Sequence, residues 1–88
     1  MKSAYCVYED NHGMVVLATN YISAIDGLIS EDWLHANIEI VDENGNLFLL
    51  KEKLGKNWLE KIKSWNVEKF NIFFDGIFWI SQMEIWGS

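Results

Sequence analysis

Two short segments, Asn11-His12-Gly13 and Asn44-Gly45, constrain this 88-residue chain more than any other feature. Asparagine leading to glycine is the residue choice for a reversal in which the backbone enters the left-handed region. Each segment is flanked by runs of β-formers. Ala4-Tyr5-Cys6-Val7-Tyr8 leads into the first turn through Glu9-Asp10, and Met14-Val15-Val16-Leu17-Ala18 leaves it. Residues 4–18 are therefore predicted to form a hairpin. Ile38-Glu39-Ile40-Val41 and Leu47-Phe48-Leu49-Leu50 flank the second turn, Asp42-Glu43-Asn44-Gly45-Asn46, and predict another.

Helical spacing follows each hairpin. Asn20 is placed to cap a helix whose apolar positions are Ile22, Ile25, Leu28 and Ile29. Gly27 inside it either weakens the helix by about 1 kcal/mol relative to alanine or marks a close packing contact. Ser30-Glu31-Asp32-Trp33-Leu34 reads as a fresh cap and one more turn, with acids at its positive end. A second helix is expected over about residues 53–65, with Leu54, Trp58, Leu59, Ile62 and Trp65 along one side. Residues 67–74 suit either a short helix, through Val67, Phe70 and Phe74, or a strand. Asp75-Gly76 ends that segment.

Ile77 to Trp86 then reads as a long final strand. One face carries Ile77, Trp79, Ser81, Met83 and Ile85, and the other Phe78, Ile80, Gln82, Glu84 and Trp86. Both faces start apolar, as in a central or an interface strand. The expected class is α+β: a mostly antiparallel five-stranded sheet in the chain order ββα-ββα-(α)β, with helices packed on one face.

The length fits a single domain spanning residues 1–88. Within it are 39 large apolar side chains, thirteen of them aromatic. That is more than a small two-layer domain hides within itself, so a homodimer or larger assembly is expected. Phe78, Trp79, Ile80 and Trp86 of the last strand are its expected interface. The stripe of Trp58, Ile62 and Trp65 is assigned to the core.

Charge restricts the partners. The chain has seven lysines, no arginine and a net charge of −6. It has no guanidinium fork for phosphate or guanine and repels a phosphate backbone, so direct binding of nucleic acid is not expected. Residues 1–50 carry a net −7 and residues 51–88 a net +1. The acids fall in three places: Glu9 and Asp10 at the first turn, Asp26, Glu31 and Asp32 around the first helix, and Glu39, Asp42 and Glu43 at the second hairpin. These are either solvated turns and helix ends or an anionic surface for a basic partner protein. Glu9, Asp10, Asp26, Glu31, Asp32, Asp42 and Glu43, together with Trp33, form the expected partner-binding set.

Catalytic patterns are sparse. Cys6 and His12 are six residues apart, across a strand and its turn, where a nucleophile and its base would not meet. His12 and His35 stand far apart with no second cysteine, so no metal set is expected. The bidentate glutamate of a calcium loop has no place after Asp42-Glu43-Asn44-Gly45, and no phosphate loop or nucleophile elbow appears. A non-enzyme with no cofactor and no metal is expected. No stretch is apolar enough to span a bilayer or act as a leader, and a lone Cys6 suits a reducing compartment. A cytoplasmic protein without membrane contact is the corresponding expectation.

Glu9-Asp10-Asn11-His12-Gly13, Ala24-Ile25-Asp26 and Trp33-Leu34 resemble a type of small open reading frame carried by phages and prophages of low-GC Gram-positive bacteria. Asn57-Trp58-Leu59 and Phe73-Phe74-Asp75-Gly76 are similar to later parts of such chains. The resemblance implies a genomic setting, a host bacterial cell, and by analogy a role against host defence of the anti-CRISPR kind. The function expected is to bind and block a host protein, such as a defence nuclease, through the acidic and aromatic surface. The alternatives are a dimeric sponge for a nucleotide signal and a homo-oligomeric accessory protein with no ligand.

Overall fold

A computed structural model describes residues 2–85. Strand β1 (Lys2–Glu9) and strand β2 (Gly13–Ala18) form the first hairpin, followed by helix α1 (Tyr21–Ser30). Strands β3 (Glu39–Val41) and β4 (Leu47–Leu49) form the second, followed by α2 (Leu50–Leu54) and α3 (Trp58–Lys63). Helix α4 (Val67–Phe73) and strand β5 (Phe78–Ile85) complete the described chain.

The class is α+β, but the strands do not join into one five-stranded sheet. They make a three-stranded sheet in the order β2-β1-β5 and a separate pair, β3-β4. Strand length explains the division. β1 offers eight residues, and β5 pairs with all of them in antiparallel register, from Lys2 opposite Ile85 to Glu9 opposite Phe78. β3 and β4 offer three residues each. The Leu50 and Lys51 N–H groups continue that pairing to the Ile38 and Ala36 carbonyls at 2.9 Å, but Leu50 has already begun α2. A three-residue edge gives an eight-residue strand too little to pair with.

The expected helix over 53–65 is two helices. Gly55 takes φ 87° as the C-cap of α2, a left-handed position that glycine adopts without steric cost, and α3 restarts at Trp58. The turn expected at 30–34 is also absent. Asp32 takes φ 61°, its N–H donates to the Ile29 carbonyl at 3.0 Å, and the Trp33 N–H donates to that of Leu28 at 2.9 Å. This pair of bonds is the Schellman closure of α1, with aspartate where glycine is usual. Residues 67–73, open between helix and strand, are helical. The Asn66 side chain caps them by accepting from the Lys69 N–H at 2.8 Å. Asn20 caps α1 as expected, accepting from the Ser23 N–H at 2.8 Å.

The core lies between the inner face of the three-stranded sheet and the helices. Val7, Val16 and Ile80 stand side by side on that face, against Ile25 and Leu28 of α1 and Ile62 of α3. An aromatic group fills one end, with Phe70 and Phe74 rings 4.6 Å apart and Phe74 and Phe78 5.6 Å apart. The Tyr21 hydroxyl donates to the Ile62 carbonyl at 2.7 Å, and burial pushes its pKa upward. Trp58 and Trp65 pack against the core as partly buried side chains.

Candidate interaction surfaces

The first surface is acidic. The β1–β2 turn is organised by Glu9, whose carboxylate accepts from the Asn11 N–H at 3.0 Å and meets His12 Nδ1 at 2.7 Å. The His12 bond, then the Asn11 N–H, hold the Glu9 carboxyl below its ordinary value of 4.5. The other side of His12 faces Trp33, the two ring centroids lying 4.9 Å apart. Trp33 follows directly on the α1 closure, so this contact draws the turn towards Glu31 and Asp32. Asp10, Glu31 and Asp32 are exposed there.

The remaining acids of the expected set lie elsewhere. Asp26 pairs with Lys63 at 2.9 Å and ties α1 to α3. Asp42 is occupied by its own turn, its Oδ1 accepting from the Asn44 N–H at 2.9 Å and the Asn46 N–H at 2.8 Å. Glu43 is exposed on that second turn. Glu9 and Asp42 therefore help to shape the two turns. Of the expected set, Asp10, Glu31, Asp32 and Glu43 are exposed and take no part in these turn bonds or in the Lys63 pair.

The second surface is apolar and is the outer face of the three-stranded sheet. In register, Cys6 stands between Leu17 and Ser81, Tyr8 between Met14 and Trp79, and Ala4 beside Met83. Among the described residues, no helix covers these positions. Tyr8 is 38% exposed, Met14 54%, Leu17 65%, Trp79 54% and Met83 52%. Ala4 and Cys6 are buried beneath the side chains around them. From Ala4 to Tyr8 and across both neighbouring strands, no charged residue occupies this face. Of the expected interface residues, Trp79 belongs to it, Phe78 and Ile80 point into the core, and Trp86 lies outside the described residues.

α4 extends this surface past β5. Glu68, Asn71, Ile72 and Asp75 lie at helical spacing and border a hollow of about 460 Å³ whose far wall is Trp79. Ile72 is 71% exposed there. The Asn71 amide is turned inward. Its Nδ2 donates to the Ile80 carbonyl at 2.9 Å, and its Oδ1 accepts from the Ile80 N–H at 2.7 Å. Asn71 thus stands in for the strand missing from the edge of β5. Tyr8, Met14, Leu17, Ile72 and Met83 were not singled out beforehand. The signal for Met83 was present, since it shares a strand face with Trp79.

Among the described residues, no group of three or more histidine, cysteine or acidic side chains is placed to hold a metal ion. Among the described residues, no helix is long and apolar enough to cross a membrane. Comparison of the chain with protein-family models, with curated proteins and with solved structures finds no match in any of the three.

Proposed function

We propose that this chain is a non-enzymatic binding protein that occupies a basic surface on a partner protein through its acidic end. What supports it is the contact between His12 and Trp33, with ring centroids 4.9 Å apart, which brings two acidic stretches far apart in sequence to one place. Carboxylates gathered with an aromatic side chain raise the local negative potential and steer a cationic partner. In the setting implied by the resemblance to phage proteins, that partner is a host protein with a cation-lined groove, of which a defence nuclease is one kind. The alternative of a nucleotide sponge gains nothing from the hollow beside Trp79, because its bordering acids are Glu68 and Asp75. A phosphate there would meet like charge.

The test uses Asp10 and Glu31, two exposed acids that form none of the turn bonds. Asp10→Lys with Glu31→Lys should leave thermal unfolding within the usual range of surface changes, about 0.5 kcal/mol. Affinity purification from a low-GC Gram-positive host, followed by mass spectrometry, then compares both chains. A basic protein retained by the native chain should be lost from the double variant at low salt. If both chains retain the same proteins equally, the acidic end does not carry binding.

A further inference from the structure

We infer that two copies of this chain associate face to face through the outer surface of the three-stranded sheet. The exposed parts of Tyr8, Met14, Leu17, Trp79 and Met83 amount to about 540 Å² of largely apolar surface, near the top of what an ordinary monomer leaves open. Two such faces together remove about 1,100 Å² from water, just above the roughly 1,000 Å² that a specific interface needs.

Charge selects the second copy over a different partner. Two chains of net charge −6 repel wherever their carboxylates meet. The outer face is where they can meet without that cost, because no charged residue lies on it from Ala4 to Tyr8 or on the paired positions of β2 and β5. A basic partner would instead be drawn to the exposed acids at its rim, Asp10 beside Tyr8 and Trp79 and Glu68 and Asp75 beside Ile72. The strand edge offers a poorer route to a dimer. Two outward-facing positions of β5 are already occupied, with the Phe78 N–H on the Phe74 carbonyl at 3.0 Å and both backbone groups of Ile80 on Asn71. What remains is stacking of one sheet on another, the packing of a β-sandwich at about 10 Å separation.

Sedimentation equilibrium at tens of micromolar, with circular dichroism on each variant, tests this. The native chain should sediment at twice its 10.3 kDa mass. Leu17→Glu and Met83→Glu, on the two outer strands of the sheet, should keep the native spectrum. Each should raise the dissociation constant about a hundredfold, since each buries a carboxylate in an apolar interface. Val41→Glu changes an equally exposed apolar residue on the separate β3-β4 pair and should leave the dimer intact. Added salt should tighten the dimer by screening like charges, whereas it should weaken a complex with a basic partner, so the two readings fail separately. A native chain of single mass overturns the inference and leaves the face to a different protein. So does a dimer that survives both sheet variants or dissociates with Val41→Glu.

Discussion

The two faces of the three-stranded sheet are both apolar, yet only one is covered. On the inner face Val7, Val16 and Ile80 are buried under α1 and the helices that follow. On the outer face Leu17 and Trp79, their neighbours in sequence and register, are more than half exposed. Hydrophobicity alone therefore does not say which face a strand gives to its own core. The helices decide, because Ile25 and Leu28 of α1, Ile62 of α3 and Phe70 of α4 all join the core on the inner side. The inner face holds the fold, and the outer face keeps its apolar side chains exposed.

The largest effect expected from this difference is in unfolding by urea. Phe74→Ala empties the centre of the inner aromatic group and should cost about 3–5 kcal/mol. Leu17→Ala on the outer face should cost no more than about 0.5 kcal/mol at concentrations below dimer formation. Equal losses would mean that the outer face is also held by the fold, and the distinction would collapse.

Next comes Asn71, which joins the inner face to the edge of β5. Asn71→Leu preserves volume but leaves the buried N–H and carbonyl of Ile80 without partners. Each unmet group costs about 1–3 kcal/mol, so a total near 3 kcal/mol is expected. The freed edge should also promote aggregation, visible as light scattering on heating. Gln82→Ala, farther along the same strand at an exposed position, should do neither.

These contrasts also show what the sequence made legible. Both hairpins could be read, because Asn11, Gly13, Asn44 and Gly45 act within a few residues of themselves. The two-sided character of residues 77–85 could be read for the same reason. Which strand β5 would join could not, since pairing with Lys2–Glu9 connects residues some seventy positions apart. The number of strands in the sheet was misjudged through the second hairpin, where Leu50 was counted as strand but starts a helix. Leu54-Gly55 carried a helix-stop signal that the spacing of Leu54, Trp58, Ile62 and Trp65 outweighed. At the acidic surface, charge was legible and placement was not. Nothing in the sequence joins His12 to Trp33, or removes Asp26 into a pair with Lys63.

Gly27 gives a finer probe of the inner face. A Cβ at this position would lie 2.7 Å from Val16 Cγ1, closer than carbon atoms pack. Val16 is buried and β-branched, so it has no easy rotamer to retreat into. Gly27→Ala should gain about 1 kcal/mol of helix propensity and lose about 1–3 kcal/mol to overpacking, for a net loss near 1 kcal/mol. In the background of Val16→Ala the same change should become stabilising. A gain in melting temperature from Gly27→Ala alone would show that α1 can move away from β2, and that the inner face is looser than its burial implies.

The smallest effect is expected where β1 leaves the inner face. Glu9 stands opposite Phe78, but its carboxylate turns away to bond Asn11 and His12. Those bonds favour the charged form and lower its pKa below 4.5 in the folded chain. A carboxyl depressed on folding contributes stability that is present above its unfolded value and is lost as pH falls through the lower, folded one. The native chain should therefore lose melting temperature on acidification below about 4.5 in a part that Glu9→Gln does not share. At neutral pH the variant should be slightly less stable, and the two curves should converge in acid, once Glu9 is protonated in both states. Because this turn also places His12 against Trp33, a variant that keeps its neutral-pH stability yet loses the His12 ring shifts would show that the acidic end can open without the sheet. Parallel melting curves from neutral to acid pH would instead mean that Glu9 is no more engaged in the folded chain than in the unfolded one.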